Sequence, residues 1–230
     1  MKISCPLFFI LTFLLMNGCV REKPKKFCDF FPINKQNKWK LLMQKGHECF
    51  IKKIYVDTVV TFKNRRYYKF VSTSTTDLVD SMLYKKESAR YFRVDRIGNV
   101  YEYIDTSNLF LGHFSQNRAK EVLDHIKNEQ LFYKFDADVG DKWFAYKEIG
   151  PIINNKPVGD VVTITLESKK DTVITPIGVF KDCYCFGYDF YSARDADVAY
   201  HEWFAEGIGL VKQQGISPDV AFLLSEYSIK

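Results

Sequence analysis

RYFRVDRIGNVYEYI, Arg90 to Ile104, decides the fold class. Apolar and polar residues alternate on both sides of a turn signal, which is the pattern of two half-buried strands in a hairpin. Its register follows from charge. A loop at Gly98-Asn99 sets Asp95 against Glu102, and like charges directly opposite are unfavourable. A longer loop, Arg96 to Asn99, pairs Arg93 with Glu102, Val94 with Tyr101 and Phe92 with Tyr103. One face is then wholly apolar, so the longer loop is the expected one.

The same grammar extends along the chain. Phe50 to Phe62 reads as a strand, Lys63-Asn64-Arg65 as a turn, and Arg66 to Ser74 as the returning strand; residues 75–84 fit no pattern. Further strands are expected at Leu131–Phe135, Trp143–Ile149, Val161–Ser168, Asp171–Thr175, Val179–Tyr188, His201–Ala205, Leu210–Gln214 and Phe222–Ile229. Ser115 to Asn128 is the one helix candidate, with Ser115 as cap and an apolar stripe at Ala119, Val122, Leu123 and Ile126. Phe, Tyr and Trp make up 16% of the residues, a composition that favours pleated, half-buried surface. The expected fold is mainly β: a curved antiparallel sheet or half barrel, built as a meander, with one short helix.

The N-terminus carries an address. Lys2 precedes an uncharged apolar run, Pro6 to Met16, too short to cross a bilayer core of about 30 Å. It suits the central region of a signal peptide. The segment Met16-Asn17-Gly18-Cys19 resembles the lipobox of bacterial lipoproteins, with Gly18 as the small residue before the cut. The resemblance implies a diacylglycerol on Cys19, which becomes the N-terminus. Arg21, Lys23, Lys25 and Lys26 follow, and basic residues close to anionic lipid add about 1 kcal/mol each. Residues 1–18 are therefore expected to be a signal peptide, 19–27 a lipid-anchored basic tether, and 28–230 a single antiparallel β domain. Val20 stands where many such lipoproteins carry an inner-membrane retention Asp. The expected location is the outer membrane, facing the periplasm.

Charge excludes one partner class. Without residues 1–18 the chain keeps 32 basic and 28 acidic residues, too mild and too evenly spread for nucleic acid. Cys28, Cys49, Cys183 and Cys185 allow three disulfide connectivities. A Cys28–Cys49 bridge would close a short loop and contribute about 3 kcal/mol in the chain-entropy model. Cys183 and Cys185 are expected as reduced thiols.

The segments TPIGVFKDCYCF (Thr175 to Phe186) and EWFAEGIGLVK (Glu202 to Lys212), with the turn FDADVGDKW, resemble bacterial envelope proteins of unknown function. Those are similar to the curved sheets of Lol-type lipoprotein carriers. The resemblance implies no catalytic residue. Its glycines, Gly207 and Gly209, are expected at a turn or bulge that bends the sheet.

Motifs for chemistry are sparse. Gly207-Ile208-Gly209 lacks the third glycine and the helix of a dinucleotide loop. Asp136, Asp138 and Asp141 around Gly140 lack the distal Glu of a calcium loop and read as turn residues. Cys183 and Cys185 have no second ligand pair for zinc. No metal and no cofactor is expected. His201-Glu202 is the best acid/base pair by sequence, but strand neighbours point to opposite faces. Phe180, Asp182, Tyr184, Phe186 and Tyr188 form a one-sided stripe. Such a stripe is ordinarily core; in a sheet that curves without closing it would line an apolar concavity, with Phe180, Tyr184, Phe186 and Tyr188 as ligand contacts. The reading that follows is a non-enzymatic envelope lipoprotein that binds an apolar ligand or contacts another envelope protein. The alternative is a periplasmic enzyme with an unrecognised acid/base site. A cleft gathering titratable groups from distant strands favours the alternative; an aromatic groove with few charges favours the first.

Overall fold

β-branched and aromatic residues at alternate positions produce strands almost throughout. The computed structural model describes residues 27–76, 86–104, 110–111, 128–153, 156–190, 200–215 and 220–230. The signal peptide, Cys19, its basic tether to residue 26, and all of the helix candidate except Asn128 lie outside those residues. A 3₁₀ turn, Phe27–Phe30, precedes β1 (Lys38–Lys45), β2 (Glu48–Phe62), β3 (Arg65–Thr76), β4 (Lys86–Val94) and β5 (Val100–Tyr103). Then come β6 (Phe110–Leu111), β7 (Glu129–Tyr133), β8 (Lys142–Ile153), β9 (Lys156–Thr175) and β10 (Gly178–Phe190). The series ends with β11 (Tyr200–Ala205), β12 (Gly209–Gln214) and β13 (Ala221–Ser228).

All 13 strands belong to one antiparallel sheet, except that β6 runs parallel to β9. The meander runs from β1 to β5 and on to β7, and from β8 to β13. Its two halves join because β13 pairs with β1. The sheet therefore curls beyond a half barrel, nearly to closure. At the remaining seam, β7 and β8 meet through side chains. The Gln130 carboxamide donates to the Tyr146 carbonyl at 2.7 Å and accepts the Tyr146 N–H at 2.6 Å, as a strand residue would. The Trp143 indole donates to the Phe132 carbonyl at 3.2 Å.

Register decides what faces the lumen. Phe92 pairs with Glu102, Arg93 with Tyr101 and Val94 with Val100, one residue off the pairing expected from charge. The loop closes at Asp95, whose N–H donates to the Asn99 carbonyl at 3.0 Å, and Gly98 adopts φ +96°. That is a three-residue loop with a glycine in the left-handed position. The expectation of a wholly apolar face fails because Glu102 points inward, where Arg90 meets it. Lys169-Lys170, expected to separate two strands, lies inside the 20-residue β9. The Cys28–Cys49 bridge that the sequence allows does not form. Residue 28 sits in the 3₁₀ turn, whereas Cys49 pairs with Gln44 at the other end of the barrel and is a free thiol. Cys183 and Cys185 are free and buried, and burial pushes the Cys183 thiol up to about 11.

The two barrel ends differ. At one end the 3₁₀ turn and Phe30–Phe31 plug the lumen. The Gly207 N–H, in the β11–β12 turn, donates to the Asp29 carbonyl at 2.8 Å, and the Trp39 indole donates to the Ile208 carbonyl at 2.6 Å. Asn34 donates to the Lys230 carbonyl at 2.5 Å, so the C-terminus is tied to the same end. Gly207 (φ +73°) and Gly209 (φ +88°) supply the left-handed conformations of that turn, and β11 carries a register shift at Trp203/Phe204.

Candidate functional site: the barrel lumen

One side of the lumen is solid. Phe30, Phe132, Phe135, Tyr184, Phe186 and Phe204, with Ile164 and Leu166, pack as a buried aromatic cluster. Phe135 meets Phe186 edge-on at 5.2 Å between ring centroids and Phe204 at 5.6 Å. The expected ligand stripe belongs to this mass. Tyr184, Phe186 and Tyr188 are 3%, 0% and 0% exposed, and Phe180 is half-buried beside the cluster. They face inward as alternation requires, but none lines the cavity that the barrel leaves. Asp182 leaves the stripe altogether, at φ +53° in a bulge.

That cavity, of about 400 Å³, lies between β1–β4 and β11–β12. Its plug-end wall is apolar: Phe31, Trp39, Phe70, Phe92, Phe204 and Leu210. Its other half is polar: Lys52, Ser72, Ser88, Tyr200, Glu202 and Gln213. Register creates this gradient. On β3 and β4 the inward pairs run Ser72–Ser88, Phe70–Arg90 and Tyr68–Phe92 toward the plug. Among the described residues, no strand pairs with β4 on its second side over Lys86–Arg90. The cavity reaches the surface there, beside exposed Glu87 and Ala89.

Two acids organise the polar half. Glu202 Oε2 accepts the hydroxyls of Tyr133 and Tyr188, each at 2.5 Å. Its Oε1 accepts Tyr200 at 3.0 Å and the Gln213 amide at 2.8 Å. Hydrogen bonds to the charged form favour a carboxylate even in a buried place. Burial, and then the Glu202 charge, hold the phenols of Tyr133, Tyr188 and Tyr200 well above the usual tyrosine range. They remain donors. Glu102 makes the second centre: Arg90 grips it through Nε at 2.5 Å and Nη2 at 2.8 Å, and Gln130 donates to it at 2.8 Å. The guanidinium lies over the Phe132 ring at 4.3 Å and the Phe92 ring at 4.7 Å. Burial opposes its charge, but Glu102 more than offsets this, and the Arg90 pKa is raised.

Lys52 is held differently. Its Nζ donates to Gln213 Oε1 at 2.6 Å, so Gln213 relays between Lys52 and Glu202. Burial is the largest influence and lowers its pKa, Glu202 pulls it back up, and Arg90 lowers it further.

His201, the other half of the sequence-proposed pair, points outward and meets Glu167 at 3.1 Å. Asp141 accepts the Asp138 N–H at 3.1 Å and lies 3.7 Å from Lys134, and among the described residues no cluster of acids, His and Cys fits a metal. Sequence reading missed Lys52, Arg90 and Glu102 as site residues. The available signal was a charged residue at an inward position of an otherwise apolar alternation.

No family model and no curated protein matches the chain. Solved structures similar to it include the following two. A candidate lipoprotein from Parabacteroides distasonis is 14% identical with a TM-score of 0.39, over 87% of this chain and 98% of that one. A candidate exported protein with a YmcC-like fold from Bacteroides fragilis is 14% identical with a TM-score of 0.39, over 86% of this chain and 98% of that one.

Proposed function

We propose that this chain is a cell-envelope lipoprotein, anchored through Cys19 to the outer membrane and facing the periplasm, that holds an apolar small molecule in its barrel lumen without transforming it. The carrying observation is the cavity: a space of about 400 Å³ with an aromatic wall, beside the packed aromatic cluster that fills the other side of the lumen. Sites of roughly 300–1,000 Å³, apolar with a few convergent polar groups, are the ordinary form of small-molecule pockets. The Phe180–Tyr188 stripe supports the wall from behind, as the far side of the cluster that includes Tyr133 and Phe204.

Titrating the chain in phosphatidylcholine nanodiscs with decanol, followed by Trp39 fluorescence and referenced to Trp39→Phe, tests the reading. Saturable binding that Phe70→Asp weakens at least about tenfold is expected, because a buried charge at the apolar wall is costly. Absence of saturable binding by decanol and by its charged analogues removes it.

One observation favours a second reading. Lys52, Arg90 and Glu202 come from distant strands into one cavity, as in an enzyme's cleft. Turnover of an amphiphilic ester or amide that Lys52→Met and Glu202→Gln both abolish would establish catalysis.

A further inference from the structure

We infer that the lumen's ligand is an anionic amphiphile, whose oxyanion head group Lys52 binds beside Ser72 and Ser88 while its apolar tail lies against the plug-end aromatic wall. This rests on the small-molecule reading above and specifies its ligand.

Charge in the lumen is unevenly paired. Among the described residues, Lys52, Arg90, Glu102 and Glu202 are charged groups that line the cavity or stand next to it at inward positions. Arg90 and Glu102 neutralise each other through two parallel hydrogen bonds. Glu202 accepts from Tyr133, Tyr188, Tyr200 and Gln213. Lys52 is the exception. Its only hydrogen bond among the described residues goes to a neutral amide oxygen, Gln213 Oε1. An ammonium has three donors, so two remain for the cavity. Glu87 lines the cavity at its mouth, but its partner Thr73 and the alternation of β4 start it from the outer face, and it is exposed to solvent.

Neighbours complete the site. Ser72 and Ser88 face each other across β3 and β4, one inward step along from Lys52, since Ser72 pairs with Ile54 and Lys52 with Ser74, and both serines line the cavity. Each hydroxyl can donate to a ligand oxygen. An acceptor with several oxygens, a carboxylate or a phosphate monoester, satisfies an ammonium and two hydroxyls together. A cation would sit against Lys52, and a neutral head group would leave the ammonium with only the distant charge of Glu202, relayed through Gln213, instead of a direct anionic acceptor. The polarity gradient fixes the orientation. Along β4, Ser88 to Phe92 spans four residues, about 13 Å of strand, from polar site to aromatic wall.

The test compares decanoate, decyl phosphate, decanol and decyltrimethylammonium on the full chain in phosphatidylcholine nanodiscs, with empty nanodiscs subtracted. Decanoate or decyl phosphate is expected to bind about tenfold or more tightly than decanol, the scale of a charge-assisted hydrogen bond. The tighter of the two identifies a carboxylate or a phosphate source. Lys52→Met should abolish that preference and leave decanol binding in place; Lys52→Arg should restore part of it. Lys52→Gln serves if Lys52→Met does not fold. Equal binding of all four, preference for the cation, or an anion preference that persists without Lys52 overturns the inference while leaving an apolar ligand. No saturable binding of any of them overturns the apolar-ligand reading itself.

Discussion

Replacing Glu202 with Leu should be among the most destabilising changes in the lumen. Two effects compete. Removing a buried carboxylate returns its desolvation cost, and replacing a buried ion by an apolar group is often neutral or better when its partners go too. Here the partners stay. The Tyr133 hydroxyl and the Gln213 amide, both buried, lose the acceptor that holds them at 2.5 and 2.8 Å. Each orphaned buried donor costs about 1–3 kcal/mol. The sum, about 2–6 kcal/mol, wins, and the melting temperature should fall on the order of 10 °C for a chain of this size. Tyr133→Phe alone removes one bond of four and should cost about 1 kcal/mol. Adding Tyr133→Phe to Glu202→Leu removes one orphaned donor and leaves Gln213, the partner of Lys52, in place, so the double variant should recover part of the loss. Thermal and urea unfolding of the series reads this directly. Strict additivity, or a neutral Glu202→Leu, would show that the hydrogen bonds to Glu202 do not organise the lumen.

Three more outcomes are expected. Folded Tyr133, Tyr188 and Tyr200 keep their protons where unfolded tyrosines release them, near pH 10. Their stabilisation is complete below pH 10 and falls above it by about 1.4 kcal/mol per pH unit for each phenol, about 4 together; urea midpoints between pH 9 and 11 measure the slope, and Tyr133→Phe should reduce it by about a third. Gly209→Ala should cost more than Gly207→Ala: both strain a positive φ, about 1–3 kcal/mol, but a Cβ at Gly209 also lies 3.1 Å from Pro32 Cδ while one at Gly207 meets nothing within 4 Å. Equal losses by thermal unfolding would show that the plug can move aside. Cys19→Ser should release the protein from the membrane fraction or stall it as precursor, and mass spectrometry finding Cys19 unmodified in normally processed wild type would refute lipidation.

Where the sequence was legible, one period governed. Alternation in Phe50–Phe62, Arg66–Ser74 and the later segments gave strands close to their observed bounds, and the inward parity of Tyr184, Phe186 and Tyr188 was readable from it. KWKLLMQK, with Trp39, Leu41 and Met43 inward, carries the same alternation and was passed over. The expected curved antiparallel sheet is observed, and this strand settles how far it closes. β1 is the strand that pairs with both β2 and β13 and joins the two halves of the meander. The hairpin register slipped for a different reason. Charges were assumed to face solvent, so Glu102 was assigned to the polar face with Arg93. Its true partner is Arg90, three residues nearer the mouth than Arg93, and the inward ion pair breaks the local rule at the place where the cavity forms. The Gln130 seam was illegible in principle, because a side chain standing in for a strand leaves no periodic trace.

The two ends of the barrel divide two tasks. Residue 27 enters the plug end, so an anchor at Cys19 attaches there through a segment of eight steps, at most about 29 Å when extended. The polar half of the cavity, with Lys52 and Ser88, lies toward the other end, and its mouth opens on the flank of β4. The plug shuts this end of the lumen, the one a lipidated Cys19 would face: Phe30 and Phe31 are 2% and 7% exposed, and Trp39, Gly207 and Gly209 clamp the segment that carries them. An amphiphile entering at the mouth does so tail first, past the head-group site, and stops on Phe31. Under the proposed anchoring through Cys19, a protein upright on its tether would take its ligand from the periplasmic side, and would reach its own membrane only by lying down along the β4 flank. The basic residues Arg21, Lys23, Lys25 and Lys26 would then draw the plug end toward anionic lipid and favour the upright arrangement.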